Sequence, residues 1–343
     1  MISASVNIIQ EKMKNFCTLF DSHYLDKGLV LYNSLEKCTK AFTLYVFCFD
    51  EKAFEVLTAL ALEHIKLIKE EEIETPELII AKENRTRAEF CWTCTPVIIE
   101  YILNNYKVQN CTYIDCDLFF YKDPQILFDE LKSKDHVIIT PHRLSESKQD
   151  RRTEARYGKY CVEFNYFDQS PESRKALTWW KERCLEWCYC KVEDGKYGDQ
   201  KYLDSFEELF DGIHVLQNLG GGVAPWNIRQ YELEKADEEE VTLTETRTSK
   251  EFDLVFYHFQ SIRFLNDNQV NINSGCTDLN MIQHVYYPYM RRILEVRKEL
   301  EKYDVHFRVA IVHSSSLLKR IYQRYIRPRM VHNLYDIIDI SEL

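Results

Sequence analysis

Two aspartates one residue apart, Asp115 and Asp117, close the apolar run "CTYI" in the stretch "CTYIDCDLFF". In an extended segment, residues i and i+2 point to the same face, so both carboxylates aim into one small volume. Like charges that close repel, and the pair predicts a cation between or beyond them. A hard divalent ion such as Mg2+ or Mn2+ takes oxygen ligands and is held by one or two carboxylates together with a substrate's phosphates. His258 ends a second apolar run, "DLVFYHF", and is a candidate third ligand. An imidazole in the set favours Mn2+ somewhat over Mg2+. The competing readings are a solvated strand end for the aspartates and a hydrogen-bonded structural role for the histidine.

These residues can act together only if the elements around them bring them to one edge. "NFCTLF" reads as a strand (Phe16 to Phe20), followed by a helix from about Gly28 and a second buried strand, "AFTLYVFCFD". The helix "KAFEVLTALALEH", the strand "HIKLIKEEEI" and the helix "AEFCWTCTPVIIEYILNNY" follow, the last carrying Pro96 only near its first turn or at a kink. The Asp115 strand, the helix "DPQILFDELKS" and the strand "HVIITPH" continue the alternation to about residue 143. Apolar strands alternating with helices predict a mostly parallel sheet flanked by helices, with ligands beyond the carboxyl ends of its strands. The aspartate pair falls at such an end.

Beyond residue 143 the stretch "RLSESKQDRRTEARYGKY" has no clean period and predicts a loop. A strand "CVEFNYF" leads to a helix in which Trp179, Trp180 and Trp187 are spaced to pack into a core. "GDQKYLDSF", a short strand "GIHVL", the glycine cluster "NLGGGVAPWN" and an acidic insertion "YELEKADEEEV" precede the His258 strand. From about residue 276 the pattern is helical.

The chain has 343 residues, 45% hydrophobic and 29% charged, enough for one large α/β core. A net charge of −11 argues against a protein that grips nucleic acid. No stretch reaches the roughly 18 apolar residues that span a bilayer, and "MISASVNIIQEKMKN" lacks a secretory h-region, so a cytoplasmic location is expected. The twelve cysteines then read as reduced, mostly buried thiols. Neither Cys91/Cys94 nor Cys188/Cys190 has a second ligand pair at zinc-finger spacing.

"YIDCDLFF" resembles the DxD motif of GT-A glycosyltransferases, which act on a metal-bridged nucleotide-diphosphosugar. "FCTLFDSHYLDKGLVLYNSL" is similar to the nucleotide-binding opening of glycogenin-like and lipopolysaccharide glycosyltransferases, "GDQKYLD" to their DQ-containing helix start and "FYHF" to their late metal-binding histidine. The order of "TPHR", "GKY", "WWKERCLEWCY", "EDGKYGDQKYLD" and "APWN" resembles a bacterial group found with surface-polysaccharide genes. The resemblance covers roughly residues 16 to 262. It implies a GT-A domain, taken over residues 1–275, and the helical pattern outside the resemblance predicts a helical extension over 276–343. It further implies transfer of a sugar from a nucleotide sugar, a UDP-sugar first among them, to a glycan or lipid-linked acceptor. That group carries an Asn and a Gly in the strand after "GKY", where Cys161 and Glu163 stand here. The departure bears on any sugar contact implied for that strand, for which Asn165 nearby is a candidate substitute.

The resemblance places Asp115, Asp117 and His258 on Mn2+ or Mg2+, with Tyr24 and Asp21 at the base and ribose. Arg87 is a candidate for the diphosphate or sugar. Asp199 and Gln200 are the candidates near the anomeric carbon, with Asp199 holding hydroxyls, acting as base or stabilising the back face, or else capping its helix. Trp226 and Asn227 offer a stacking face and an amide to a sugar, and three glycines permit close backbone approach.

Two other classes compete. A sugar nucleotidyltransferase would carry a glycine-rich, basic loop after the first strand, where "DSHYLDKG" has one glycine and one lysine. A sugar-nucleotide-binding protein with a decayed site would fit the departures at Cys161 and Glu163. Finally, Lys319, Arg320, Arg324, Arg327 and Arg329 lie among apolar residues from Leu317 to Met330, a pattern suited to peripheral contact with an anionic membrane face or to a helix packed on the domain.

Overall fold

The computed structural model describes residues 13–237, 240–276, 278–307 and 336–343. The segment from Leu317 to Met330, and with it the membrane-contact expectation, lies outside the described residues.

The first strand, β1 (Lys14–Phe20), is buried along its whole length, as expected of a central parallel strand covered on both faces. It feeds α1 (Leu25–Cys38), then β2 (Phe42–Cys48), α2 (Glu51–Leu60) and β3 (Ile65–Lys69). Helix α2 starts where the Asp50 side chain accepts from the Ala53 amide and stops at Ala61 in the left-handed region, φ 48°. The next helix, α3 (Pro76–Asn84), has Thr75 as its cap and Pro76 in its first turn. A capping box between Thr86 and Glu89 opens α4 (Arg87–Asn105). Pro96 stands in the middle of α4 rather than near its start.

The chain continues through β4 (Asn110–Ile114), β5 (Leu118–Phe120), the single-turn α5 (Gln125–Phe128) and β6 (Val137–Pro141). The predicted loop after residue 143 instead contains α6 (Lys148–Tyr157). None of its residues is buried, so there is no apolar stripe to read. Its signals are local: the Ser147 cap and Gly158 at φ 110°. Then come β7 (Tyr160–Asp168), α7 (Pro171–Glu186), the short α8 (Phe206–Leu209) and β8 (Ile213–Val215). The "acidic insertion" is a pair of strands, β9 (Tyr231–Ala236) and β10 (Val241–Glu245), joined by β11 (Lys250–Asp253) in a three-stranded antiparallel sheet.

Seven strands form the main sheet in the order β3-β2-β1-β4-β7-β6-β8. All neighbours are parallel except β7, which is antiparallel to both β4 and β6. Alternation along β1 sends Phe16 and Phe20 into a core with α1 and α2, and Cys17 and Leu19 into a core with α4 and α7. Of the three tryptophans expected to pack into a core, Trp180 is fully buried in the second core, stacked on Phe167, Trp179 is half-buried against the same core, and Trp187 lies past the end of α7 in extended backbone. All twelve cysteines are free thiols, eight of them buried.

The sheet alone does not bring His258 to the aspartates. That is done by β12 (Phe256–His258), which pairs antiparallel with β5, His258 opposite Leu118. A small sheet follows, built from β13 (Arg263–Asn266), β14 (Gln269–Asn271) and the C-terminal β15 (Ile337–Asp339). Between β14 and β15 lie α9 (Leu279–Met281), a π-helical turn and α10 (Tyr287–Leu300). Helix α10 shares the first core and ties to α1 through Arg297 Nε to Asp26 Oδ2 at 2.7 Å. No helix among the described residues is long and apolar enough to cross a membrane.

Gly28 lies inside α1, and a Cβ there would run into the Phe20 ring. Gly28→Ala is therefore expected to cost about 1–3 kcal/mol despite alanine's better helix propensity. Urea unfolding checks this; an unchanged or higher midpoint would refute the close packing of α1 on the end of β1.

Candidate active site

Asp115, Cys116 and Asp117 occupy the break between β4 and β5. The turn is closed by the Leu118 amide donating to the Asp115 carbonyl at 3.2 Å. The two carboxylates thus converge through a tight turn, not through the strand alternation expected from the sequence. The stretch "YIDCDLFF" is two strands belonging to two sheets, and the aspartates sit at the junction.

The Phe259 amide donates to the Asp117 carbonyl at 2.9 Å and the His258 amide to the Val223 carbonyl at 3.0 Å, fixing β12 against this turn. His258 Nε2 lies 3.1 Å from Asp117 Oδ1 and 3.6 Å from Asp115 Oδ2. Asp115 Oδ1 accepts from the Tyr113 hydroxyl at 2.7 Å. On the other side of the ring, Nδ1 is 2.7 Å from Glu163 Oε2. Trp226 packs edge-to-face on the imidazole, ring centres 5.3 Å apart.

The charges are strongly coupled. Burial, and after it Asp117, raises the Asp115 carboxyl to about 7 against the pull of His258. Burial would also raise Asp117, yet His258 and Lys27 hold it well below the usual carboxylate range. Burial disfavours a charged His258, but Asp117 and Glu163 keep the ring protonated well above its ordinary value. The cation called for by the aspartate spacing is therefore present in part as side chains. Lys27, on α1, reaches to 3.6 Å from Asp117 Oδ2 and stands 4.8 Å over the Tyr24 ring.

One carboxylate oxygen from each aspartate and one imidazole nitrogen lie within 4.8 Å of one another. Two hard oxygens and one borderline nitrogen at that spacing fit a small divalent cation. The group forms part of the wall of a cleft of about 270 Å3, which Asp21, Tyr24, Arg87, Trp92, Cys116 and Gln260 also line. Tyr24 is 40% exposed at the rim. Asp21 caps the turn after β1 by accepting from the His23 amide and lies 3.7 Å from Arg87 Nε. Arg87 is not a free surface arginine: it bonds to Glu70 Oε2 at 2.9 Å and to the Phe49 carbonyl.

The remaining candidates stand apart from the cleft wall. Asp199 is 4% exposed, and burial, then Asp115, raises its carboxyl to about 8. Its side chain makes no helix-cap bond, so the capping alternative is not what the structure shows. Gln200 Nε2 donates to the Tyr157 carbonyl at 2.7 Å. Asn227 is buried and spent on its own loop: its amide donates to the carbonyls of His142 and Gly222, and its oxygen accepts from the Ala224 amide. It fixes the Trp226 turn instead of offering an amide to a sugar. The glycines likewise admit the protein's own chain. A Cβ at Gly220 would meet the Asp253 carbonyl, and one at Gly221 the side chains of Leu216 and Leu127.

Two residues at the site, Lys27 and Glu163, were not among those expected there. Lys27 stands within the stretch "DSHYLDKG" that follows β1, where only a basic loop was sought. Glu163 is an acid inside an apolar strand, which is itself a signal, because a buried charge requires a partner.

No protein-family model matches the chain. Over 295 residues it is 30% identical to the uncharacterised protein YfnF of Bacillus subtilis (strain 168), covering 83% of this chain and 94% of that one. It is equally 30% identical to YfnD of the same organism over 301 residues, 85% of this chain and 92% of the other. The chain belongs to the family of YfnF and YfnD. Among solved structures, the family's fold is matched by the galactosyltransferase LgtC in complex with donor and acceptor sugar analogs, with a TM-score of 0.55 and 15% identity over 84% of this chain and 99% of that one. An active-site mutant of LgtC matches at 0.52, with 14% identity over 83% and 95%. The fold of this family member is GT-A: a mostly parallel central sheet flanked by helices, with a C-terminal helix.

Proposed function

We propose that the chain is a metal-dependent glycosyltransferase that moves a sugar from a nucleotide-diphosphosugar, a UDP-sugar first among them, to a glycan or lipid-linked acceptor in surface-polysaccharide synthesis. The observation that carries this reading is the convergence of Asp115, Asp117 and His258 on the wall of a cleft whose rim bears an aromatic ring. When bound, Mn2+ or Mg2+ would act as a Lewis acid toward the leaving diphosphate. Tyr24 stacks against the base and Asp21 binds the ribose. Arg87, held by Glu70 and Phe49, presents its remaining face to the diphosphate. Asp199 sits in the field of Asp115 and serves the sugar, with Gln200 beside it positioned through Tyr157. LgtC is described with donor and acceptor sugar analogs, which supports assigning both kinds of partner to this fold. In this reading residues 1–275 form the transferase domain and 276–343 its extension, in the cytoplasm or at the inner membrane face. A sugar nucleotidyltransferase fits less well, because the stretch after β1, "DSHYLDKG", holds one lysine and one glycine and no glycine cluster.

A thermal-shift panel of nucleotide sugars, with and without Mn2+, tests the reading. A ligand at about 100 times its Kd adds on the order of 2.7 kcal/mol, a shift of several degrees. At least one nucleotide-diphosphosugar is expected to give such a shift with Mn2+ and little without it. A panel that is silent in both conditions would overturn the proposal.

A further inference from the structure

Glu163 is fully buried in β7, and its Oε2 lies 2.7 Å from His258 Nδ1. The other oxygen, Oε1, has no hydrogen-bond partner among the described residues and lies against Gly222, where even a Cβ would come within 3.0 Å of it. A buried carboxylate with half of its acceptor capacity unused is costly, so packing alone does not account for it. The same imidazole turns its other nitrogen, Nε2, to Asp117 and Asp115. One ring therefore links Glu163 on one side to the aspartate pair on the other.

We propose that Glu163 is the positioning residue of the metal site: it accepts the His258 Nδ1 proton and thereby fixes the ring and its tautomer with Nε2 free to bind the cation. This rests on the metal-dependent reading above. A hydrogen-bonding carboxylate behind a ligating histidine raises the ligand's basicity and locks its orientation. The edge-to-face Trp226 and the β12 pairing restrain the ring from the remaining directions. Cys161, one strand repeat away, belongs to a second close group with Glu163 and His258. In the present geometry Glu163 is spent on the ring through the 2.7 Å bond. The residue that looked like a departure from the glycosyltransferase pattern is thus the hydrogen-bond partner of the candidate ligand His258.

The test measures Mn2+ affinity of the full chain by calorimetry for wild type, Glu163→Gln, Glu163→Leu and His258→Ala, and for Glu163→Leu combined with His258→Ala. Loss of an outer-shell partner weakens affinity about 10- to 100-fold. Glu163→Leu is expected in that range, Glu163→Gln between it and wild type, and the Glu163 change is expected to add nothing once His258 is gone. A purely structural Glu163 would lower the melting temperature while leaving Mn2+ affinity unchanged, or would weaken affinity equally with and without His258; either result overturns the proposal. A second measurement needs no variant. With nitrogen-15-labelled histidine and Mg2+, NMR is expected to place the single His258 proton on Nδ1, and a proton on Nε2 overturns the assignment. If wild type binds no divalent cation at all, the metal-dependent reading falls first and this one with it. Binding by wild type with unaffected variants refutes the role of Glu163 alone.

Discussion

Asp117→Asn is expected to abolish metal-dependent donor turnover and Mn2+-induced stabilisation while leaving the fold intact. The substitution keeps side-chain size and removes one charge from a site where Asp117 is paired with both His258, at 3.1 Å, and Lys27, at 3.6 Å. Lys27 then loses its partner at the turn, and an added divalent ion meets one ligand carboxylate, Asp115, in place of two. Because losing only an outer-shell partner costs about 10- to 100-fold, losing a ligand at the centre should cost at least the upper end of that range. Asp115→Asn is expected to act in the same direction, its new amide oxygen still able to accept from the Tyr113 hydroxyl as the Asp115 carboxylate does. His258→Ala should reduce Mn2+ dependence far more than His142→Ala or His214→Ala, since His214 is engaged by Glu130 at 2.7 Å, outside the aspartate turn. Donor hydrolysis and Mn2+ titration check all of these. Wild-type behaviour in both aspartate variants would dismiss the site, and equal, negligible effects at the three histidines would return His258 to a structural role.

The metal-free protein is expected to lose stability as pH rises from roughly 5 to 9, and Mn2+ to restore it increasingly over the same range. The sign follows from where the folded state holds extra protons. Asp199, raised to about 8, and Asp115, raised to about 7, both start from an unfolded value of about 4. In that interval the folded state binds more protons than the unfolded one, so stability falls with pH. His258 is raised, so its contribution is complete below its unfolded value of about 6.5 and is lost as pH climbs through the higher folded value. Asp117, held low, contributes with the opposite sign only below about pH 4, and His142, which burial holds below its ordinary value, opposes the trend only below about pH 6.5, where Asp115 and Asp199 outweigh it. A cation that displaces these protons binds better as pH rises. Asp199→Asn removes one of the three groups and should flatten the metal-free profile. Thermal melting in EDTA and in Mn2+ across the range decides the matter; a metal-free stability that rises with pH, or an Asp199→Asn profile as steep as wild type, would refute the coupling.

Much of this was legible in the residues themselves. Apolar strands such as "FCTLF" alternating with helices that carry their own caps dictate a covered parallel sheet, because a strand buried on both faces must be apolar throughout and a helix start must satisfy its free amides. The aspartate spacing also pointed to a cation, because two ionised carboxylates so close repel and are relieved by a cation or by a proton on one of them. Helix α6 was hidden because a helix with no buried residue has no stripe, and only Ser147 and Gly158 marked its ends.

What the sequence could not decide was who meets whom across long separations. His258 reaches Asp117 only because β12 pairs with β5 rather than with the main sheet. Lys27 becomes a counter-ion only because α1 lies over that same turn. Glu163 lies 95 residues from His258 in sequence, and no local pattern distinguishes a carboxylate that will find an imidazole from one that is simply misplaced. Local propensity and periodicity act over a turn or a strand, whereas the pairing energy of buried charges is set by distance and dielectric. Both of those exist only once the chain has folded.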